Sequence, residues 1–233
     1  MDVKICREAI EKFSSKEHFR VLLFGASNTE RYAGFMHWGD VLEVGLRTRY
    51  SRRFHLINSG YGGSNTREAL RRFELFVEDF HPDVVIVTFG GNDSINRPER
   101  FIAEDEFTGN LEQIVSRIRS WGGIPILQTY YKPDLAALDP VYAGTFVRYM
   151  QVVREIAARR QVFLVDQYSF FEKLPPNTLK YKLLLNEMHV NELGNMLMGI
   201  ILLKHFQIDP MDIQHGEKLM PALHFYDKFI AVK

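Results

Sequence analysis

Val84–Asp93 reads VVIVTFGGND, and this stretch decides the fold. Val84–Phe89 is apolar or β-branched at every position, without alternation, as expected of a strand covered on both faces. The Gly90-Gly91-Asn92-Asp93 that follows is small, flexible and rich in hydrogen-bonding groups. Working outward, four further runs have the same character: Val21–Ala26, Phe54–Asn58, Ile124–Thr129 and Val162–Asp166. The segments between them carry helical spacing. Thr66–Phe80 places Leu70, Phe73 and Val77 on one face, Phe107–Ser120 and Phe146–Arg160 read the same way, and Glu192–Phe206 forms a closing helix. Alternating strands and helices predict an α/β fold around a parallel five-stranded sheet.

Composition narrows the classes that such a fold could serve. The chain has 233 residues, 46% of them hydrophobic, enough for a sizeable core. Lys and Arg number 29 and Asp and Glu number 29, a balance unsuited to coating nucleic acid or an anionic membrane. One cysteine excludes an intramolecular disulfide and a multi-cysteine zinc site, and points to a reducing, cytoplasmic setting. No apolar run is long enough to span a bilayer, and MDVKICREAIEKF lacks the greasy stretch of a signal peptide. With no linker or repeat in view, residues 1–233 read as a single domain with its core at about 20–206 and a C-terminal extension at 207–233. Leu219, Met220, Leu223, Phe225, Phe229 and Ile230 make that extension apolar enough to suggest a homo-oligomer contact.

In a parallel sheet, ligands bind beyond the carboxyl ends of the strands, so the residues there carry the functional signal. A dinucleotide site would need G-x-G-x-x-G after the first strand and an acid after the second; here the first turn has one glycine, Gly25, and the second strand ends in Asn58. No phosphate-binding G-x-x-x-x-G-K-[ST] occurs, and the eight histidines show no metal-ligand spacing, so neither a metal nor a cofactor is expected. Acyl transfer fits better, because it needs a nucleophile, a base, a group to orient the base, and donors aimed at an oxyanion. Ser27 stands at the first strand end, where a following helix would aim its N-terminus at the same point. Gly63 offers a backbone N–H in the loop after the second strand, and Asn92 offers a side-chain amide after the third. His189, in Asn186-Glu187-Met188-His189-Val190-Asn191 just before the closing helix, is the best-placed base.

Gly25-Ala26-Ser27-Asn28, Gly63 within Asn58–Thr66, Gly90-Gly91-Asn92-Asp93, and His189 with Asn191 and Gly194 together resemble the SGNH (GDSL-type) hydrolases. Each block is weak alone; four in order at strand ends, across residues 21 to about 206, are specific together. The resemblance implies a flavodoxin-like three-layer α/β/α sandwich with strand order 2-1-3-4-5. It also implies hydrolysis of a small-molecule ester without a metal. Ser27 would attack, His189 would carry the proton, and Ser27 N–H, Gly63 N–H and the Asn92 amide would hold the oxyanion. Two positions depart from the family pattern. Ala26 replaces the acid of G-D-S, and Asn186 stands where D-x-x-H has its aspartate. An Asn oxygen can accept the imidazole Nδ1–H but brings no charge, and in serine proteases the Asp-to-Asn change costs roughly 10⁴ in kcat, largely through the wrong tautomer. Glu187 or a backbone carbonyl are the alternative orienters.

Arg31, Tyr32, Tyr130 and Tyr131 are the candidate substrate-binding residues, the first two in the aromatic stretch after Ser27 and the others at the fourth strand end. Asn191 is expected to cap the closing helix, Asp166 to hold backbone at the fifth strand end, and Cys6 to fill space. The expected activity is a serine esterase on a short acyl or O-acetyl group, such as one on a carbohydrate. Its rivals are a lysophospholipase or acyl-thioesterase, and a ligand-binding module weakened by Asn186.

Overall fold

The computed structural model describes residues 3–31 and 33–231; of the candidate residues, Tyr32 lies outside them. In chain order the main elements are α1 (Arg7–Ser15), β1 (Phe19–Gly25), α2 (Trp38–Tyr50), β2 (Phe54–Gly60), α3 (Thr66–Arg71), β3 (Val84–Thr88) and α4 (Glu104–Ser120). There follow β4 (Ile124–Gln128), α5 (Pro140–Arg159), β5 (Phe163–Val165), α6 (Gln167–Glu172), α7 (Glu192–His205) and α8 (Met220–Phe225). The five strands pair in parallel in the order β2-β1-β3-β4-β5, the flavodoxin-like order expected from the resemblance.

Successive strand residues point to opposite faces, so an unbroken apolar run feeds two cores. Val21, Leu23, Val84, Ile86 and Ile126 pack with Phe13 of α1, Trp38 and Leu42 of α2 and Leu197 and Ile201 of α7. Leu22, Phe24, Val85, Val87 and Leu127 pack on the other face with Ile114 of α4 and Phe146 and Ile156 of α5. The residues with no polar partner in sequence are thus the ones with no solvent face in space.

Two expectations about helices need correction. Thr66–Phe80 is not one helix but α3, a short turn at Phe73–Phe76 and a 3₁₀ turn at Glu78–Phe80. Val77, at φ −134° and ψ −58°, leaves the helical region, while its side chain and Phe73 stay buried. The second concerns Ser27. No helix begins there: Thr29 and Glu30 N–H both bond to the Ala26 carbonyl in a single turn, and α2 starts only at Trp38 behind a His37–Asp40 capping box. The helix that follows Ser27 in sequence therefore begins eleven residues later, and its first residue, Trp38, returns to bond to the Asn28 carbonyl.

The C-terminal extension wraps its own chain. Leu219, Leu223 and Ile230 are buried in the cluster that contains α7, with Phe225 and Phe229 packed partly against it. Of the apolar residues that suggested a self-contact, Met220 remains exposed. Among the described residues, no helix is long and apolar enough to cross a membrane.

Candidate active site

β1 is flanked by β2 and β3, so the turns that follow these three strands are neighbours at one end of the sheet. Gly25 pairs with Gly60 on one side and Thr88 on the other, and Tyr61 N–H bonds to the Gly25 carbonyl. Ser27, Gly63 and Asn92 stand on these three turns. Gly63 has φ +77°, a conformation that costs other L-residues energy but not glycine. The Asn92 amide donates to the Ser64 carbonyl at 2.9 Å, which ties its side chain to the Gly63 loop. Beneath them, fully buried Asp93 accepts Thr66 N–H at 2.8 Å, the Thr66 hydroxyl at 2.6 Å and Gly90 N–H at 3.1 Å. Burial pushes the Asp93 carboxyl up from its ordinary range, opposed by those donors.

His189 reaches this rim from a pinched loop. Leu184 and Val190 form an antiparallel bridge, and Leu185 N–H donates to the His189 carbonyl at 2.7 Å. Asn191 caps α7 as expected, accepting Gly194 N–H at 3.0 Å, and its amide donates to the Lys182 carbonyl at 2.9 Å. Gly194 is required there, since a Cβ would sit 2.4 Å from the Leu183 carbonyl oxygen. The loop brings His189 Nε2 to 3.0 Å from Ser27 Oγ.

Asn186 faces the other ring nitrogen. Its Oδ1 accepts Met188 N–H at 2.9 Å and His189 N–H at 2.8 Å, and lies 3.1 Å from His189 Nδ1. Backbone N–H groups can only donate, so they fix the amide oxygen, not the amide nitrogen, toward the ring. Nδ1 then carries the proton, and Nε2 turns a lone pair to the Ser27 hydroxyl. The tautomer that an asparagine usually spoils is here imposed by two main-chain donors. What asparagine omits is the charge alone. Burial lowers the His189 pKa below the ordinary histidine value, offset in part by the Glu187 carboxylate. Glu187 thus acts at a distance, and the side-chain oxygen beside Nδ1 is that of Asn186.

The candidate substrate-binding residues fare differently. Arg31 is exposed, pairs with Asp40 at 2.9 Å and borders a small recess beside Ser27. Tyr130 and Tyr131 do not present their rings to a substrate: they are 3% and 1% exposed and pack into the two opposite cores. The strand alternation continues past β4 and turns one ring to each face, where the loops above cover them.

Other residues shape the site without having been singled out. The Asn28 carbonyl accepts Trp38 Nε1–H at 2.7 Å, with His37 Nε2 at 3.2 Å. His37 Nδ1 accepts Gly39 N–H at 3.0 Å, so both its ring nitrogens are engaged, and burial lowers its pKa to about 4. Arg154 and Asp166 form an ion pair at 2.8 Å, and Asp166 caps α6 by accepting Ser169 N–H. Cys6 is buried, and burial raises its thiol pKa to about 12. Among the described residues, no group of three or more His, Cys, Asp or Glu side chains is placed to hold a metal ion.

Solved structures share this fold. A catalytic mutant of Axe2, an acetylxylan esterase from Geobacillus stearothermophilus, superposes with TM-score 0.70 at 22% identity over 82% of this chain and 95% of that one. LAE5, an alpha/beta hydrolase enzyme from the metagenome of Lake Arreo, Spain, gives TM-score 0.68 at 23% identity over 81% and 95%. Among curated proteins, GDSL esterase/lipase CPRD49 of Arabidopsis thaliana is 32% identical over 109 residues, which are 43% of this chain and 41% of that protein. GDSL esterase/lipase WDL1 of Oryza sativa subsp. japonica is 30% identical over 106 residues, 42% and 39% of the two. The chain thus spans about two fifths of the length of these relatives. The model of the GDSL-like lipase/acylhydrolase family matches residues 23–197, a span that takes in all four blocks, the one of His189 included. The chain belongs to the GDSL-like lipase/acylhydrolase family.

Proposed function

We propose that the chain is a serine esterase that removes a small acyl group, acetyl above all, from an alcohol such as a sugar hydroxyl. The observation that carries this reading is the 3.0 Å approach of Ser27 Oγ to His189 Nε2, with Nδ1 held by Asn186. In the first half-reaction the Ser27 proton passes to Nε2 as Oγ attacks the ester carbonyl carbon. The carbonyl oxygen becomes an oxyanion, met by Ser27 N–H, Gly63 N–H and the Asn92 amide. As the tetrahedral adduct collapses, the imidazolium returns that proton to the departing alkoxide, leaving an acyl-enzyme on Ser27. Water, deprotonated by His189, repeats the sequence and frees the carboxylic acid.

The size of the recess beside Ser27 supports a short acyl group. Ser27, Asn28, His37, Val190 and Asn195 are among its lining residues, and its volume of about 10 Å³ suits a group of water or methyl size. The acetylxylan esterase activity named for Axe2 makes acetylated xylo-oligosaccharides the natural test esters.

Hydrolysis of p-nitrophenyl acetate, butyrate and hexanoate, and acetate release from an acetylated xylo-oligosaccharide, test the reading. The acetate ester is expected to exceed the hexanoate by about tenfold or more in kcat/KM, since misfit in a closed pocket is worth about 1–3 kcal/mol. Ser27→Ala is expected to lose at least about 10³ in kcat. Equal rates in the two proteins would overturn the nucleophile, and a preference for hexanoate would overturn the short acyl group. Binding of an acetylated sugar with no turnover would support the weakened ligand-binding module instead.

A further inference from the structure

We propose that the Tyr131 hydroxyl is a positioning group that ties the loop of His189 to the turn of Ser27. The inference rests on the proposed serine–histidine chemistry and extends it to a residue that touches neither reacting atom. Tyr131 lies three residues past β4, with its ring buried against Phe171 at a centroid distance of 5.5 Å. At the ring's far end, one oxygen serves two loops. Its single proton is shared between Asn28 Oδ1, at 2.8 Å, and the Met188 carbonyl, and its oxygen accepts Val190 N–H at 3.1 Å.

The placement of these partners matters more than their number. Met188 and Val190 are the residues on either side of His189, and Asn28 is the residue after Ser27. The hydroxyl therefore holds the main chain of the base on both sides and the neighbour of the nucleophile at one point. Asn28 is held in turn at its carbonyl by Trp38 Nε1–H, with His37 alongside, so that end of the bridge is anchored in α2. Ser27 and His189 are 162 residues apart in sequence, and each sits on a turn. A fixed 3.0 Å approach between two turns needs a strut between their backbones, and proton transfer is steep in that distance. A phenol fits the role because its rigid ring carries the oxygen out of the core, with two torsions to order. Phenylalanine would keep the ring and remove the hydroxyl that makes the strut.

The test compares Tyr131→Phe, Trp121→Phe, Ser27→Ala and the parent for kcat and KM on p-nitrophenyl acetate, well below each melting temperature. Trp121→Phe is the control, because it deletes a hydrogen bond, Nε1–H to the Pro82 carbonyl at 3.0 Å, at the opposite end of the sheet. Tyr131→Phe is expected to lower kcat by about tenfold or more with KM within about twofold, since Tyr131 is buried and offers its hydroxyl to main chain and Asn28. Trp121→Phe is expected to melt earlier yet keep the parental kcat. Parental kcat in folded Tyr131→Phe overturns the proposal, as does an equal loss in Trp121→Phe, which would mark general loosening. Parental turnover in Ser27→Ala instead overturns the reading of the site itself, and the two failures are distinct. If Tyr131→Phe does not fold, Asn28→Ala cuts the bridge at its other end. A lowered kcat at unchanged KM then supports the strut, and a parental kcat overturns it.

Discussion

Two histidine loops meet at this rim, and their difference shows what separates scaffold from chemistry. Burial lowers the pKa of both His37 and His189. A perturbed pKa therefore does not distinguish them. Their second ring nitrogens do. His37 has Nδ1 accepting Gly39 N–H and Nε2 on the Asn28 carbonyl, so its lone pair and its proton are both committed to backbone. His189 has Nδ1 on Asn186 and Nε2 on the Ser27 hydroxyl, a side chain and not backbone. Only the second arrangement can take a proton from a neighbour and give it back.

The largest expected effect breaks the comparison at its chemical end. His189→Ala should lower kcat by at least about 10³, while thermal unfolding moves little because the loop stays bridged at Leu184–Val190 and capped at Asn191. His37→Ala should do the reverse. Loss of the α2 cap costs about 0.5–2 kcal/mol of stability, visible in urea unfolding, with kcat less affected than in His189→Ala.

Changes at Asn186 sharpen the comparison. Asn186→Ala frees the ring to adopt either tautomer and leaves two main-chain N–H groups without their acceptor, so a loss of about 10² in kcat is expected. Asn186→Asp keeps all three contacts and adds charge beside the ring. The pKa of His189 then rises, and the acid limb of the kcat/KM profile moves to higher pH by about one unit. In the parent that limb lies below the ordinary histidine value, because the base works neutral and burial has already lowered its pKa. An unmoved limb in Asn186→Asp would show that Asn186 does not face the base.

A further effect is on stability against acid. A histidine whose folded pKa lies below its unfolded value takes up protons more readily when unfolded, so its contribution is complete above about pH 6.5 and is lost as pH falls. For His37 the window runs from about 6.5 down to about 4, amounting at full extent to about 3 kcal/mol. His205, buried and lowered in the same direction, adds to it. Melting curves between pH 7.5 and 4.5 should therefore fall less steeply for His37→Ala than for the parent.

How much of this was legible in the sequence follows from the range of the interactions. The five strands were, because a run such as Val84–Thr88 states its two-sided burial locally. Ser27, Gly63, Asn92, Asn186 and His189 were named because each stands at an element's end, where small and polar types are conspicuous. The shape of the Ser27 turn was not legible. A helix start was expected, but the carbonyl of Asn28 is claimed by Trp38, and its side-chain oxygen by a tyrosine 103 residues away. Tyr130 and Tyr131 looked like rings offered to a substrate for the same reason. Nothing within four residues of them reveals that the loops of Ser27 and His189 close over the end of β4. The orienting oxygen of Asn186 was named, but not the two main-chain donors that fix it, because they exist only once the loop is pinched.

Reaction with a fluorophosphonate, followed by mass spectrometry of the intact chain and its peptides, tests the central claim most directly, since the adduct forms only on an activated serine. The parent should gain one phosphonyl group, on Ser27, with a rate that rises with pH through the His189 titration, and His189→Ala should gain none on the same time scale. An unmodified parent, an adduct on another serine, or an equal rate in His189→Ala would contradict it.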